Sequence, residues 1–167
     1  ATVELDNLGH EVFEAVGCTF VRNRSIPRKC YANHVTNITA STPEQIDYLV
    51  ARADVEFDFT AHRCYYVSGN TPSELVAWLT MRDYERTDNL IMLLTGNLQG
   101  VAKRHEIRTV ETADDWNAFA DLVEIEEVER DGDNPRERRP DDREFIASKR
   151  AICPSVRYWM AYVDDHP

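Results

Sequence analysis

Two cysteines and two histidines have spacings that suit nucleophilic or metal chemistry. Cys30 and His34 are separated by three residues, and His62 and Cys64 would share a face if they lie on one strand. A thiol beside an imidazole can act as a nucleophile, and both ligand types suit zinc. However, the spacing matches no familiar zinc pattern, and both side chains are common in ordinary protein interiors. The pattern therefore favours core residues over a thiol or zinc site, and we predict no bound metal.

An acidic, arginine-rich segment suggests a different chemistry. Residues 124–139 read EIEEVERDGDNPRERR. The carboxylates of Glu127 and Asp131 would attract an amine, which carries a positive charge until it loses a proton. The alternative is a solvated run of charge, which this composition favours. Tyr158 and Trp159, further along the chain, either line a pocket or pack within a sheet, and their place in a strand-like run favours packing.

Three threonine-containing segments predict where helices begin. TPEQ at 42–45, TPSE at 71–74 and TADD at 112–115 each precede apolar residues at helical spacing. In the first two, the threonine hydroxyl would accept a hydrogen bond from the first turn, and the proline lies where no N–H is needed. The residues that these helices would bury are Ile46, Leu49, Val50, Leu75, Trp78, Leu79, Trp116, Phe119, Leu122 and Val123. Because strand-like runs (HVTNIT, HRCYYV and HEIRTV) precede all three, the predicted fold class is α/β.

The remaining patterns complete the first half of the chain. Leu5 to Val16 predicts a helix with Gly17 as its C-cap, followed by a strand at CTFVR. DNLIMLLTG predicts another strand, and the glycine-containing stretch after it predicts a linker. We therefore expect a domain over 1–98, a linker over 99–104 and a second unit over 105–167.

The second unit is predicted to run strand, helix, helix, strand. After HEIRTV and the Trp116 helix come the charged segment, as a loop, and a helix that begins at Pro140 and ends before Pro154. Val156 to Val163 then predicts a strand that is apolar on both faces and therefore buried on both.

This layout resembles the start of a GNAT-superfamily acyltransferase domain, in which a strand, two helices and a second strand precede a hairpin into a third strand. HEIRTVETADDWNAFADLV and RYWMAYVDDHP carry this likeness. Residues 1–103 are similar to the amino-terminal half of two-domain GNAT proteins. The stretches that carry this similarity are IPRKCYANHV, AHRCYYV and IMLLTG. The resemblance implies an α/β fold with a GNAT-like mixed sheet flanked by helices, and a second domain that is incomplete at Pro167.

The resemblance also implies an activity. It is the transfer of an acetyl group from acetyl-coenzyme A to a primary amine of a small molecule or peptide, by direct attack of the amine on the thioester carbonyl. The charged segment lies where such enzymes shape the acceptor pocket, which implies substrate-binding roles for Glu127, Asp131, Tyr158 and Trp159.

The coenzyme-binding loop of that superfamily is not found in the sequence. Family members hold the pyrophosphate with an R/Q-x-x-G-x-G/A loop at a helix start, and the nearest stretch here, QGVAKR at 99–104, lacks the second glycine and leads into a strand. We therefore expect the loop after Pro167, in a chain that is a fragment, and we assign no catalytic or cofactor-binding residue. The alternative is that the terminal strand completes the sheet and the chain ends there.

The net charge and the hydropathy of the chain limit the classes of partner and the cellular location that we expect. The 167-residue chain has a net charge of −11, which argues against nucleic acid because phosphate binding needs a basic surface. The sequence shows no signal peptide or membrane-spanning run, so we expect a soluble cytoplasmic protein. Four separately placed cysteines predict free, buried thiols. The alternative function is a non-catalytic GNAT-like binding or dimerisation module, in which exposed strand edges would recruit a second copy into a homodimer.

Overall fold

The computed structural model describes residues 7–88, 106–131, 140–153 and 155–163. Within these ranges the protein is mixed α/β, with two small antiparallel sheets and four α-helices. The chain divides into two compact units, Ala1–Ile91 and Met92–Pro167. The predicted linker, and the strand predicted at DNLIMLLTG from residue 89 onward, lie outside the described residues.

The first unit contains a three-stranded antiparallel sheet. Its strands are β1 (Glu11–Ala15), β2 (Cys18–Arg22) and β3 (His34–Thr36), in the order β1-β2-β3. Phe20 in the central strand lies opposite Phe13 on one side and Val35 on the other. Phe20 and Val35 are fully buried, so this sheet forms one wall of the first core.

A two-residue hairpin turn joins β1 to β2. Val16 has φ 56° and Gly17 has φ 69°, the backbone signs of a type I′ turn. The hydroxyl of Thr39 donates to the carbonyl of Gly17 at 2.8 Å, and a Cβ on Gly17 would come within 2.5 Å of that same hydroxyl oxygen. The helix predicted from Leu5 to Val16 is therefore wrong, and Gly17 is a turn residue instead of a helix C-cap. Cross-strand pairing with the buried strand β2 overrides the local helical spacing.

Helix α1 (Pro43–Glu56) begins as predicted. The backbone N–H of Gln45 donates to the hydroxyl of Thr42, and the side-chain oxygen of Gln45 accepts from the backbone N–H of Thr42, which completes a capping box. The helix buries Ile46 and Leu49 against Phe20 and Val35. Because these hydrogen bonds form between residues that are close in the chain, the start of this helix could be predicted from the sequence alone.

The second predicted cap does not form. Helix α2 (Ser73–Met81) has Pro72 at its N-cap position and no side-chain cap. The hydroxyl of Thr71 instead accepts from the backbone N–H of Ser68 at 2.9 Å, within the preceding turn. The helix exists and buries Leu75 as predicted, but the threonine stabilises the turn before it.

Two predicted strands of the first unit are shorter than expected. HVTNIT forms only β3, because Asn37 takes a left-handed conformation with φ 51°. HRCYYV forms no regular strand, and its pairing is a single parallel bridge between Tyr65 and Val35.

A buried carboxylate joins α1 to the hairpin. Glu56 is 8% exposed and forms ion pairs with Arg22 of β2 and with Arg52 one turn earlier in the helix. Arg22 also forms a bidentate pair with Glu11, with N–O distances of 2.8 and 2.9 Å. A carboxylate that leaves water needs such partners, so removing either arginine would leave a charge without full compensation.

The second unit contains a two-stranded antiparallel sheet and two helices. The elements are β4 (Glu106–Thr109), α3 (Ala113–Asp131), α4 (Pro140–Ala151) and β5 (Trp159–Tyr162). Thr112 and Asp115 cap α3 reciprocally, and α3 packs on α4. The core of the second unit consists of Val110, Trp116, Met160 and Tyr162. The predicted order of strand, helix, helix and strand is confirmed. None of the helices that the structure describes is long and apolar enough to cross a membrane.

Two expectations for this unit are wrong. Strand β5 is four residues long and buried on one face only, because Met160 and Tyr162 face the core while Trp159 and Ala161 are exposed. The charged segment was expected to be a loop from residue 124, but α3 continues to Asp131. The periodic apolar residues of α3 end near Val123, and helix propensity of the Glu-rich stretch carries the helix further.

The capping box of α1 gives a testable stability effect. Thr42→Ala removes the acceptor for the N–H of Gln45 and should lower the free energy of unfolding by about 1 kcal/mol. Thr42→Ser keeps a hydroxyl and is the matched control, with a much smaller loss. Urea denaturation followed by circular dichroism measures both, and equal losses for the two variants would contradict the capping role.

Candidate functional site

Cys30 is presented by a loop that a buried amide holds in place. Cys30 begins a short 3-10 turn (Cys30–Ala32) directly before Asn33 and β3. The side chain of Asn33 is 1% exposed, accepts from the backbone N–H of Asn23 at 2.9 Å and donates to the carbonyl of Ile26 at 2.9 Å. These bonds fasten both ends of the loop, so the position of Cys30 is set by buried hydrogen bonds.

The segment that carries His62 and Cys64 is fixed from both sides. The guanidinium of Arg63 donates to a carboxylate oxygen of Asp54 and to the carbonyl of His62, each at 2.8 Å. The backbone N–H of Val35 donates to the carbonyl of Cys64 at 2.9 Å. This last bond lies on the parallel bridge and brings residue 64 alongside β3, close to the Cys30 turn.

Cys30, His62 and Cys64 form what we call the thiol cluster. The Cys64 thiol and the His62 imidazole are the two groups that most lower the pKa of the Cys30 thiol. The hydrogen bond with Cys64, then that with His62, lowers the pKa of Cys30 well below its ordinary value, despite partial burial. The pKa of Cys64 is raised, first by its hydrogen bond to Cys30 and then by burial. Cys30 is therefore the more acidic of the two thiols.

The thiol cluster is reachable from solvent. The Cys30 residue is exposed, whereas Cys64 and His62 are half-buried. Since the thiolate is the nucleophilic form of cysteine, an exposed sulfur with a lowered pKa is suited to attack an electrophile. The sequence predicted that these residues pack in the core, and the exposure of Cys30 contradicts that prediction for this residue.

His34 lies apart from this chemistry. Its ring stacks on Tyr66 with centroids 4.0 Å apart, and the side chain is completely buried. The carbonyls of Cys30 and Tyr31 lie nearby, yet neither ring nitrogen forms a hydrogen bond of normal geometry. Burial, opposed in part by those carbonyls, lowers the pKa of His34 to about 4, so the ring is neutral at pH 7.

The zinc interpretation is not supported. Among the residues that the structure describes, no group of three or more His, Cys, Asp or Glu side chains is arranged to hold a metal ion. His34 is held in the core, where its ring stacks on Tyr66.

The structure places the substrate-binding residues predicted for the second unit on helix α3, on strand β5 and directly before β5. Tyr158 packs edge-on against Trp116, with centroids 5.6 Å apart, and burial raises its pKa. Trp159 is 56% exposed and points to the opposite side of the strand. Glu127 and Asp131 lie in the last turns of α3, so the helix backbone, not a loop, positions them.

Asn33 and Arg63 are the positioning residues that sequence reasoning missed. The signal for Asn33 was a lone amide between Tyr31 and a strand of buried residues, where an unpaired polar group would be costly. The signal for Arg63 was weaker, because its partner Asp54 belongs to a helix nine residues earlier. Both contacts depend on the tertiary fold.

Comparisons of the chain with protein-family models, curated proteins and solved structures find no match.

Because His34 is buried and neutral, the free energy of unfolding of the protein should depend on pH. In the unfolded chain this group takes up a proton below about pH 6.5, but in the folded protein only below about pH 4. The free energy of unfolding should therefore fall as the pH drops between these values, by up to roughly 3 kcal/mol from this residue. His34→Phe keeps a stacked ring, so its stability should depend less steeply on pH in that window.

The measurement is chemical denaturation of both proteins from pH 7 to pH 4. Carboxylates titrate equally in the two proteins, so the difference between the curves isolates His34. A constant difference across the range would show that His34 does not stay neutral in the folded state.

Proposed function

We propose that this chain is part of a GNAT-type N-acyltransferase, which transfers an acetyl group from acetyl-coenzyme A to a primary amine. The observation that supports this best is the second unit, in which β4, α3, α4 and β5 follow in order and β4 pairs antiparallel with β5 along its whole length. This is the order with which the GNAT fold begins. A fold alone does not determine a function, so the activity has to be tested on its chemistry.

The second unit would contribute the acceptor side of such a site. The carboxylates of Glu127 and Asp131 would attract the protonated amine, and the exposed indole of Trp159 would contact its carbon chain. The amine must then lose its proton before it attacks the thioester carbon, and the thiolate of coenzyme A leaves as the carbonyl re-forms. Tyr158 would support the strand from beneath, through its contacts with Trp116 and Phe119.

Two of the described helix starts, those of α1 and α3, do not suit the coenzyme. In α1 the first free N–H groups are taken up by the capping box of Thr42 and Gln45, and in α3 by Thr112 and Asp115. The carboxylate of Asp115 at the second start would also repel a pyrophosphate. The acyltransferase proposal therefore does not place the coenzyme at either of these two helix starts.

The decisive experiment is an acetyl-transfer assay on the complete product of the gene. We expect acetyl-coenzyme A and a lysine-containing peptide, or a small polyamine, to yield an acetylated amine detected by mass spectrometry of the acceptor. Detection of released thiol should be avoided, since the chain's own exposed Cys30 would react with the reagent. Failure to bind acetyl-coenzyme A in calorimetry, together with no product, would refute the proposal.

Variants test the acceptor side. Trp159→Ala should raise KM for the amine about tenfold or less while leaving the affinity for acetyl-coenzyme A unchanged, because only an acceptor contact is lost. Tyr48→Ala is the matched control, since Tyr48 is an equally exposed aromatic residue on α1 of the first unit. If both variants behave alike, Trp159 has no role in acceptor binding.

A non-catalytic dimerisation module is the second candidate, and one observation favours it. Ile107 and Trp159 are 64% and 56% exposed and lie on the same face of the β4–β5 sheet, where Ile107 is opposite Ala161. Val163, which follows Ala161 by two residues, is also exposed. Adjacent exposed apolar side chains on a sheet face are typical of interaction surfaces.

Self-association distinguishes the two candidates. If the sheet face binds a second copy, the full chain should show a concentration-dependent dimer in sedimentation velocity, and Trp159→Arg should shift it to monomer. Val55→Arg, at a comparably exposed apolar position on α1, should leave the dimer intact. A monomer at all concentrations would remove the homodimer proposal without affecting the acyltransferase one.

A further inference from the structure

His34 lies between two sets of hydrogen bonds that hold the first unit together. Before it, the side chain of Asn33 accepts from the N–H of Asn23 and donates to the carbonyl of Ile26, each at 2.9 Å. After it, the N–H and the carbonyl of Val35 are both hydrogen-bonded across the parallel bridge. Because the ring of His34 is completely buried, water reaches it only if one of these two attachments opens.

The surroundings of the His34 ring disfavour a positive charge. Neither ring nitrogen has a hydrogen-bond partner of normal geometry within the described part of the chain. One face of the ring is covered by Tyr66, with centroids 4.0 Å apart and planes 16° apart, and the residue opposite on β2 is the fully buried Val21. An imidazolium without hydrogen-bond acceptors is costly in such an interior, so the closed structure requires the neutral ring.

His10 holds the beginning of the same loop by a bond that also requires a neutral ring. The Oδ1 atom of Asn23 accepts from the N–H of Ser25 at 3.0 Å, so the other end of this amide is its NH₂ group. That NH₂ group lies 3.1 Å from Nδ1 of His10 and donates to it. Both nitrogens of an imidazolium carry hydrogens, so a protonated His10 cannot accept this bond. Turning the Asn23 amide over would restore a bond to His10 only at the loss of the bond from Ser25.

We propose that residues 23–33 form an acid-released loop, which opens from the first unit when His10 and His34 take up protons, while the sheet and helix α1 stay folded. Protonation of His10 frees the beginning of the loop, and hydration of the charged His34 releases its end. Opening brings Ile26, which is fully buried in the closed loop, to the surface. The proposal does not depend on acyl transfer, because these residues lie in the first unit and none is assigned to the acetyl reaction.

The charge of the loop favours release in acid. Residues 23–33 read NRSIPRKCYAN and contain Arg24, Arg28 and Lys29 but no acidic residue, in a chain whose net charge is −11. Arg24 forms an ion pair with Asp58 at 3.6 Å, and this pair weakens as the carboxylate becomes protonated. A proton at each end of the loop therefore adds to a segment that is already positive.

Neighbouring groups act on a proton at His34 in opposite directions. The carbonyls of Tyr31 and Cys30 favour the proton, and the charge of a protonated His10 opposes it. The two imidazoles therefore repel each other's protons as long as the loop is closed. Burial is the largest of these effects, which is why the pKa of His34 is lowered to about 4 despite the two carbonyls.

The carboxylates on the neighbouring strands and helix have partners of their own. Glu11 and Glu56 both form ion pairs with Arg22. Glu14, on the sheet face that carries the imidazole, accepts from the hydroxyl of Thr19 at 2.6 Å. The parallel segment beyond β3 adds titratable side chains without a carboxylate, namely those of His62, Arg63, Cys64, Tyr65 and Tyr66.

Proton linkage fixes the direction and the steepness of the opening. In the open loop His34 is hydrated and takes up its proton near pH 6.5, whereas in the closed loop it does so only near pH 4. Protons therefore favour the open form as the pH falls below about 6.5, and the contribution of His34 levels off below about pH 4. Within this window the opening constant should rise roughly tenfold per pH unit for one proton, and up to about a hundredfold where His10 takes up a second.

Hydrogen–deuterium exchange of the full chain, read by NMR at several pH values from 7 to 4.5, tests the proposal. The reporters are the amides of Lys29, Ala32 and Asn33, whose N–H groups donate within the loop, and the amide of Leu49 in α1 is the internal reference. After correction for the intrinsic pH dependence of exchange, the opening constant of the loop should exceed that of α1 by at least about tenfold at every pH. It should also rise roughly tenfold or more from pH 6 to pH 5.

Single substitutions assign the protons. His34→Phe keeps a stacked ring and His10→Gln keeps an acceptor for Asn23, and neither new side chain titrates. Each variant should therefore lower the steepness of the loop opening by about one proton. Tyr48→Ala, at an exposed position on α1, is the control and should leave the steepness unchanged.

Two results would overturn the proposal. One is an opening constant of the loop equal to that of α1 at each pH, which would mean that the loop opens only when the whole unit unfolds. The other is an opening constant of the loop that stays unchanged between pH 6.5 and pH 4.5. If His34→Phe fails to fold, the unaltered chain decides, because both results are measured on it.

Discussion

The two backbone hydrogen bonds of Val35 are the constraint on which the first unit depends. Its N–H binds the carbonyl of Cys64 and its carbonyl binds the N–H of Tyr66, while β3 itself pairs with β2 on the other side. Val35 is fully buried, so neither group has water as a substitute partner. Through this one residue an antiparallel sheet gains a parallel neighbour, and the crossover between them is helix α1.

The parts of the fold that the sequence predicted are those that depend on neighbours in the chain. Helices α1 and α3 begin at reciprocal caps, which close within four residues and need no tertiary partner. Strand β1 could not be predicted in this way, because Glu11–Ala15 is extended only when β2 lies beside it. Trp159 shows the same limit, since the residue types of β5 allow burial on both faces and only the surrounding elements decide that one is exposed.

In the candidate site, too, some features depend on the residue types alone and others depend on the tertiary fold. Residue types alone marked Cys30, His34, His62 and Cys64 as residues capable of chemistry, although core packing was favoured, and they could not show which sulfur is exposed. That difference comes from the tertiary fold, in which Asn33 holds the Cys30 turn and the backbone bridge pairs residue 64 with the buried Val35. The acidic residues expected at the acceptor pocket were identified from a local charge pattern, and a local pattern did not reveal that α3 extends through them.

The turn between β1 and β2 bears on how the first unit assembles. A type I′ turn favours Asn or Gly at its first central position, but here that position is Val16, a β-branched residue with φ 56°. A left-handed conformation costs such a residue on the order of 1–2 kcal/mol. The hairpin thus has little tendency to nucleate on its own, whereas α1 has a complete cap and a buried face. We infer that α1 and the residues packed on it form early during folding, and that the hairpin closes late, once the contact between Thr39 and Gly17 is available to hold it.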